Sequence, residues 1–225
     1  MNRLTIDKRL PPEIVQTSSY ASPFLINHIP FVLSSSPTNS SILLAFTHAN
    51  QFGNGGVPRD TTPPDASWTN IDTLKYDLIG MDVWWKKVNS GDGVNYTFNI
   101  SGGTEYCSGV IYEVKNCNTT TPIDQHNIVG GPLSTINPTP SVTPTKINTL
   151  AIAGICATGG SLSLTTPTVS TGWVIDKSAI PPYISTFTSH RILLTSDTTT
   201  PISNTFTFTA NSFSTATSIV LLAPV

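Results

Sequence analysis

The chain reads as an all-β protein, an antiparallel two-sheet β-sandwich, and three observations carry that expectation. Residues 94–100, VNYTFNI, alternate strictly, with Val94, Tyr96, Phe98 and Ile100 on one side and Asn95, Thr97 and Asn99 on the other. Period-two alternation marks a strand with one dry and one wet face. Short runs of this kind recur along the chain, separated by turns rich in Gly, Pro, Asn and Ser, at the roughly 8–12-residue spacing of sandwich strands. The composition agrees: 38% of residues are hydrophobic, only 11% are charged, and roughly a quarter are Ser or Thr. Polarity is therefore carried mainly by hydroxyls, and β-branched Thr suits strands.

Taken in order, residues 1–22 stand apart. Arg3, Asp7, Lys8, Arg9 and Glu13 crowd charge into the first fourteen positions, and Pro11-Pro12 forbids a continuous helix there. The segment reads as an extended N-terminal arm whose Leu4, Ile6, Leu10, Ile14 and Val15 dock on a neighbouring subunit. Residues 23–225 read as one sandwich domain. Strands are expected at 23–33 and 41–49; SILLAFTHA is so uniformly apolar that it reads as a central strand. The loop NQFGNGGVPRDTTPPDAS at 50–67 follows, then strands at 68–74 and 75–80. Residues 81–88, 94–100 and 106–114 form a meander turned at Asn89–Gly93 and Ser101–Gly103. Residues 118–146, rich in Thr and Pro, read as a long crossover. Strands resume at 147–157, 162–165, 169–176, 184–195, 202–210 and 213–223.

Charge and cysteine usage narrow the function. The formal net charge is −2. Beyond residue 117 the basic residues are Lys146, Lys177 and Arg191 alone, so no basic stripe exists to track a nucleic-acid backbone. No apolar run reaches the ~20 residues of a membrane span, and MNRLTIDKRLPPEIV lacks the apolar centre of a secretory signal. Cys107 and Cys117 flank one expected strand, which holds them ~33 Å apart, whereas a disulfide needs less than about 7 Å between Cα atoms. Cys156 lies in the apolar run LAIAGICA and reads as a small buried hydrophobe. No cofactor is expected.

The order of SILLAFTHA, SWTNI, MDVWWKKVNSGDGVNYTFNI, CSGVIYEVKNC, TPID, INTLAIAGI, TGWVI and SIVLLA resembles a group of jelly-roll-like β-sandwich domains. These occur in bacteriophage structural proteins and bacterial surface proteins. The positions that carry the resemblance are Trp68, Trp84 or Trp85, Gly91–Gly93, Tyr112-Glu113, Pro122–Asp124 and Gly172-Trp173, and it spans residues 24–225. The resemblance implies a jelly-roll-like wind. It also implies a non-enzymatic virion protein, capsid-decorating or tail-associated, made in the host cytoplasm. Its partners would be other virion proteins and further copies of itself. The alternative it leaves open is a module that binds carbohydrate or a host receptor.

Catalytic chemistry finds little support. His28, His48, His126 and His190 are not spaced as metal ligands, and no serine-nucleophile elbow, phosphate-binding Gly loop or zinc signature occurs. Glu113 lacks the second carboxylate a glycosidase needs and reads as an outward strand residue. Asp60 and Asp65 share one loop, where solvated acids are a commoner reading than a Ca²⁺ site. Adjacent strand residues point to opposite faces. Trp85 therefore joins Met81 and Val83 on the dry side, and Trp84 points outward as a candidate ligand surface with Asp60 and Asp65.

Overall fold

The computed structural model describes residues 10–50, 59–132, 134–158, 164–180, 183–193, 200–209 and 214–224, and among these every regular element is a β-strand. The first half supplies β1 (Glu13–Ala21), β2 (His28–Val32), β3 (Ile42–Asn50), β4 (Thr61–Thr62), β5 (Thr69–Tyr76), β6 (Ile79–Lys87), β7 (Asn95–Ile100) and β8 (Cys107–Lys115). The second half supplies β9 (Ile123–Pro132), β10 (Ile136–Pro138), β11 (Thr149–Thr158), β12 (Val174–Ala179), β13 (Ile184–Leu193), β14 (Thr205–Thr207) and β15 (Ser214–Leu222). All named pairings are antiparallel.

The sandwich has four layers where two were expected. A three-stranded sheet, β2-β7-β4, covers a five-stranded sheet, β1-β8-β3-β6-β5. That sheet packs on a second five-stranded sheet, β12-β13-β11-β15-β9, whose far face is covered by β10-β14 and neighbouring loops. Three cores lie between the layers. In β3, Ile42, Leu44 and Phe46 enter the central core, while Leu43, Ala45 and Ala49 enter the outer one. In β11, Leu150, Ile152 and Cys156 enter the central core, and Ala151, Ala153, Ile155 and Ala157 enter the other outer core. Every residue of β3 and β11 is buried. That is why SILLAFTHA and LAIAGICA are continuous apolar runs rather than alternating ones.

The N-terminal expectation is corrected in part. Residues 13–21 do not stand off the sandwich; they form β1, the edge strand beside β8. Of the stretch QTSSY only Ser19 is exposed; Gln16, Thr17, Ser18 and Tyr20 are half-buried on this edge. The 118–146 crossover likewise contains two strands, β9 and β10. In the first half β5 turns back on β6 in the large sheet and does not join β4 in the small one.

The two halves repeat one winding. Read through the first half, the large sheet runs β1-β8-β3-β6-β5; read through the second, it runs β9-β15-β11-β13-β12. The β2–β7 pair corresponds to β10–β14, and the β4–β7 pairing to the bridge Thr168–Thr207. The irregularities coincide as well. Val15 is the extra residue between Ile14↔Val114 and Gln16↔Glu113, and Asp124 is the extra residue between Ile123↔Leu222 and Gln125↔Leu221. Ile71 bulges between Asn70↔Trp84 and Asp72↔Val83, and Asp176 between Ile175↔Ser189 and Lys177↔Thr188. A left-handed residue, Ser40 at φ 73° or Asn148 at φ 55°, precedes each central strand.

The repeats face each other about an approximate two-fold axis. Exchange of equivalent strands turns the β5–β9 contact into β12–β1 and the β6–β15 contact into β13–β8, and all four contacts are present. Phe46 pairs with Val83 and Val110 across its strand neighbours, and Gly154 pairs with Thr188 and Ser218, so the two are equivalent positions. They also touch: a Cβ on Gly154 would lie 2.7 Å from Phe46 Cδ1. At the axis a residue must pack against its own counterpart, and a large ring on one side leaves room only for glycine on the other.

Candidate functional site

The strongest polar basin lies where the three-stranded sheet meets the rim of β6. Lys86 is drawn inward, its side chain 3% exposed, with Nζ 2.9 Å from Asp92 Oδ1 and 3.8 Å from Asp65 Oδ2. The same ammonium lies 5.9 Å from the ring centres of Trp68 and Tyr96, so cation–π attraction adds to the ion pair. Asp65 accepts from the Ser67 hydroxyl and, at 2.7 Å, from the Ser67 amide. The Ser67 hydroxyl is the main reason its carboxyl is held below the ordinary value. Asp65 therefore fixes the turn at Ser67, Asp92 accepts from the Asn89 amide of its own turn at 2.9 Å, and both hold Lys86.

Trp84 does not form an open platform. It is half-buried against the outer core, tilted 6.5 Å from Phe98, and its indole Nε1–H donates to Thr61 Oγ1 at 3.2 Å. The face that alternation assigns to solvent is covered by the small sheet. Asp60 turns elsewhere and pairs with Lys75 at 2.8 Å, both partly exposed. Trp84, Asp60 and Asp65 are thus not brought to one surface.

Beneath Trp84, Asp82 is buried and accepts from the Thr61 amide, the Thr61 hydroxyl and the Thr73 hydroxyl, each at 2.7 Å. Burial pushes its carboxyl upward, against the hydrogen bonds that favour the ionised form. Glu113 is also buried, contrary to the outward reading. It accepts from Gln16 Nε2 at 2.6 Å, the Thr38 amide at 2.7 Å and the Ser41 hydroxyl at 2.9 Å, and so clamps the 34–41 turn to β1 and β8. The Tyr-Glu dipeptide carried no sign of this, because β1 was not read as its neighbour.

Between the repeats a second polar cluster forms. The Tyr112 hydroxyl lies 3.0 Å from Asp176 Oδ2 and touches the Thr188 hydroxyl, while Asp176 Oδ1 meets His190 Nδ1. His126 Nδ1 meets Asp72 Oδ2 at 3.0 Å where β9 crosses β5. Burial raises the Tyr112 phenol well above its usual value, so it stays protonated and acts as a fixed donor. These contacts link the halves. A carboxylate-oriented histidine is half of a general-base arrangement, but the hydroxyls bonded here belong to buried strand residues. No group of three or more His, Cys, Asp or Glu that could hold a metal ion occurs among the described residues.

The arm residues separate. Leu4 and Ile6 lie outside the described residues. Ile14 packs against the central core, whereas Leu10 is 66% exposed and Val15, the bulged residue, 42% exposed. The three cysteines are free and buried, each thiol pushed up to about 12 chiefly by burial. Native protein at pH 8 should accordingly incorporate no iodoacetamide within minutes, and three equivalents after urea unfolding, as read by intact mass. Rapid native labelling would show that these sites open locally.

No family model matches the chain, and no curated protein or solved structure is significantly similar to it.

Proposed function

We propose that the chain is a non-enzymatic structural subunit of a bacteriophage virion, capsid-decorating or tail-associated, tied to its neighbours by the segment that leads into β1. The observation that carries this reading is the treatment of the sheet edges. All four outer strands of the large sheets, β1, β5, β9 and β12, carry a bulge, and the bulged residues Val15, Ile71, Asp124 and Asp176 interrupt each ladder. Bulged edges resist strand-to-strand aggregation, a hazard acute for a subunit held at high local density. The polar side chains with buried partners are spent on internal clamps at Lys86, Asp82, Glu113 and Asp176. Hydroxyl- and amide-bearing outer faces, such as Asn95, Thr97 and Asn99 on β7, are less costly to desolvate than charged ones. Leu10 stands exposed where the chain enters β1, which leaves residues 1–12 as the tether.

The test is co-sedimentation of the full chain, and of a chain lacking residues 1–12, with purified phage particles stripped of accessory proteins. Particle binding by the full chain with loss on truncation is the expected result. Equal binding by both removes the tether from the account, and binding by neither removes the virion reading.

A second reading is favoured by one observation. Phe24 is 73% exposed and Leu25 49% exposed, on a turn fixed by Ser22, whose hydroxyl bonds both the amide and the carbonyl of Phe24. A module that binds host glycans or a receptor would present such a residue. Phe24→Ala should then abolish glycan-array or cell binding without changing stability, while Trp84→Ala should destabilise the fold.

A further inference from the structure

His48 is fully buried on β3, in one of the two inner sheets, at the seam between the repeats. Its Nδ1 is 3.5 Å from the Ser108 hydroxyl, which is 2.7 Å from the Thr186 hydroxyl of the other repeat, and Thr186 in turn meets Cys156 Sγ at 3.6 Å. Its Nε2 has no hydrogen-bond partner, and neither do the side-chain amide of Asn50 or the hydroxyl of Ser218. A buried imidazole with so little polar company can be accommodated only uncharged.

The groups around it offer no counter-charge. On β6 its strand partner is Met81, and on β8 it is Ser108. From the facing sheet, β13 contributes Thr186 and β11 contributes Cys156, both joined to His48 through the Ser108 hydroxyl. The carboxylate of Asp82, next to Met81 on β6, points to the opposite face of that strand, where Thr61 and Thr73 hold it. Asp176, already engaged by His190 and Tyr112, stands further along the same core.

We propose that the joint between the two repeats is an acid-sensitive element, opened by protonation of His48. Of the other three histidines, His28 bonds Asn27 at the surface, and His126 and His190 meet Asp72 and Asp176, so the outer cores around Phe98 and Ile111 and around Phe187 and Phe206 can persist while the central core loosens. Burial lowers the His48 pKa from 6.5 to about 3. The folded form therefore refuses a proton that the opened form accepts near 6.5. Stability from the neutral ring is complete above that value and is lost as pH falls from about 6.5 toward 3. Asp72, Asp82 and Glu105 act in the opposite sense: burial raises their carboxyls, so the folded form takes up their protons more readily and gains stability as pH falls.

The test compares the full chain with His48→Leu in urea titrations between pH 7.5 and 4.5, with hydrogen exchange followed at pH 5. The opening equilibrium of the wild type should rise roughly a hundredfold more than that of the variant across this range. Exchange should accelerate first in β3, β8, β11 and β13, and later in β2 and β7. Should His48→Leu fail to fold, His48→Gln, which cannot titrate, gives the same comparison. Identical pH profiles for wild type and variant, or exchange that accelerates uniformly through all layers, would overturn the proposal.

Discussion

Gly154→Val is expected to leave the chain largely unfolded at 37 °C. The position sits in mid-strand at the axis between the repeats, and a Cβ there would lie 2.7 and 2.9 Å from two carbons of the Phe46 ring and 3.4 Å from Met81 Cε. Phe46 and Met81 are themselves fully buried in the central core, so neither ring nor thioether has free space to enter. Overpacking of a filled core costs about 1–3 kcal/mol per modest insertion. Valine adds two further methyl groups to the clash that Cβ alone creates, which places it at or above the top of that range. Gly154→Ala should show a smaller loss of about 2 kcal/mol. Urea unfolding followed by tryptophan fluorescence checks both. A neutral Gly154→Val would mean that the ring stands away from the strand.

Asp82→Ala should produce the second large loss, about 3 kcal/mol or more. The substitution removes the acceptor of the Thr61 amide and of the buried Thr61 hydroxyl, and also the partner of the exposed Thr73 hydroxyl. Thr61 belongs to the short strand β4 and also receives the Trp84 indole N–H, so the small sheet should loosen from the large one. Hydrogen exchange at the Thr61 amide is the specific readout, and it should accelerate well beyond the change seen at β11. Asp82→Asn, which retains one acceptor oxygen, should lie between. An Asp82→Ala protein as stable as the wild type would show that water replaces the carboxylate.

The strands that bury one face against a core were legible in the sequence. VNYTFNI alternates because β7 has a wet side and a dry side, and SILLAFTHA is unbroken because β3 has none that is wet. The four layers were not legible: alternation shows that a face is polar, not whether a polar face is later covered. Trp84 illustrates this, since parity puts it opposite Trp85 correctly while the covering sheet turns an outward residue into a half-buried one. β1 and β9 were missed because edge strands with bulges lose the period, and QTSSY and VGGP resemble turns. The repeat itself left almost no residue pattern. Equivalent positions hold Phe46 and Gly154, His48 and Cys156, Tyr112 and Val220, and Glu113 and Leu221. What persists is register: where each ladder slips, and where the chain turns left-handed before a central strand. Of the candidate site, the two aspartates of the 59–67 stretch were visible as residues, but nothing in the Lys86-Lys87 pair marks Lys86 as the buried partner that faces Asp65.

The reciprocal exchange at the axis tests the central claim, that two repeats pack about a two-fold axis through Phe46 and Gly154. Unfolding free energies would be measured for Phe46→Gly, Gly154→Phe and the double variant. Phe46→Gly opens a cavity and should lose about 3–5 kcal/mol, and Gly154→Phe should not fold with Phe46 in place. In the double variant the ring enters from the other repeat into the space its counterpart has vacated, so most of the stability lost by Gly154→Phe should return. A double variant no more stable than Gly154→Phe alone would contradict the equivalence of the two positions.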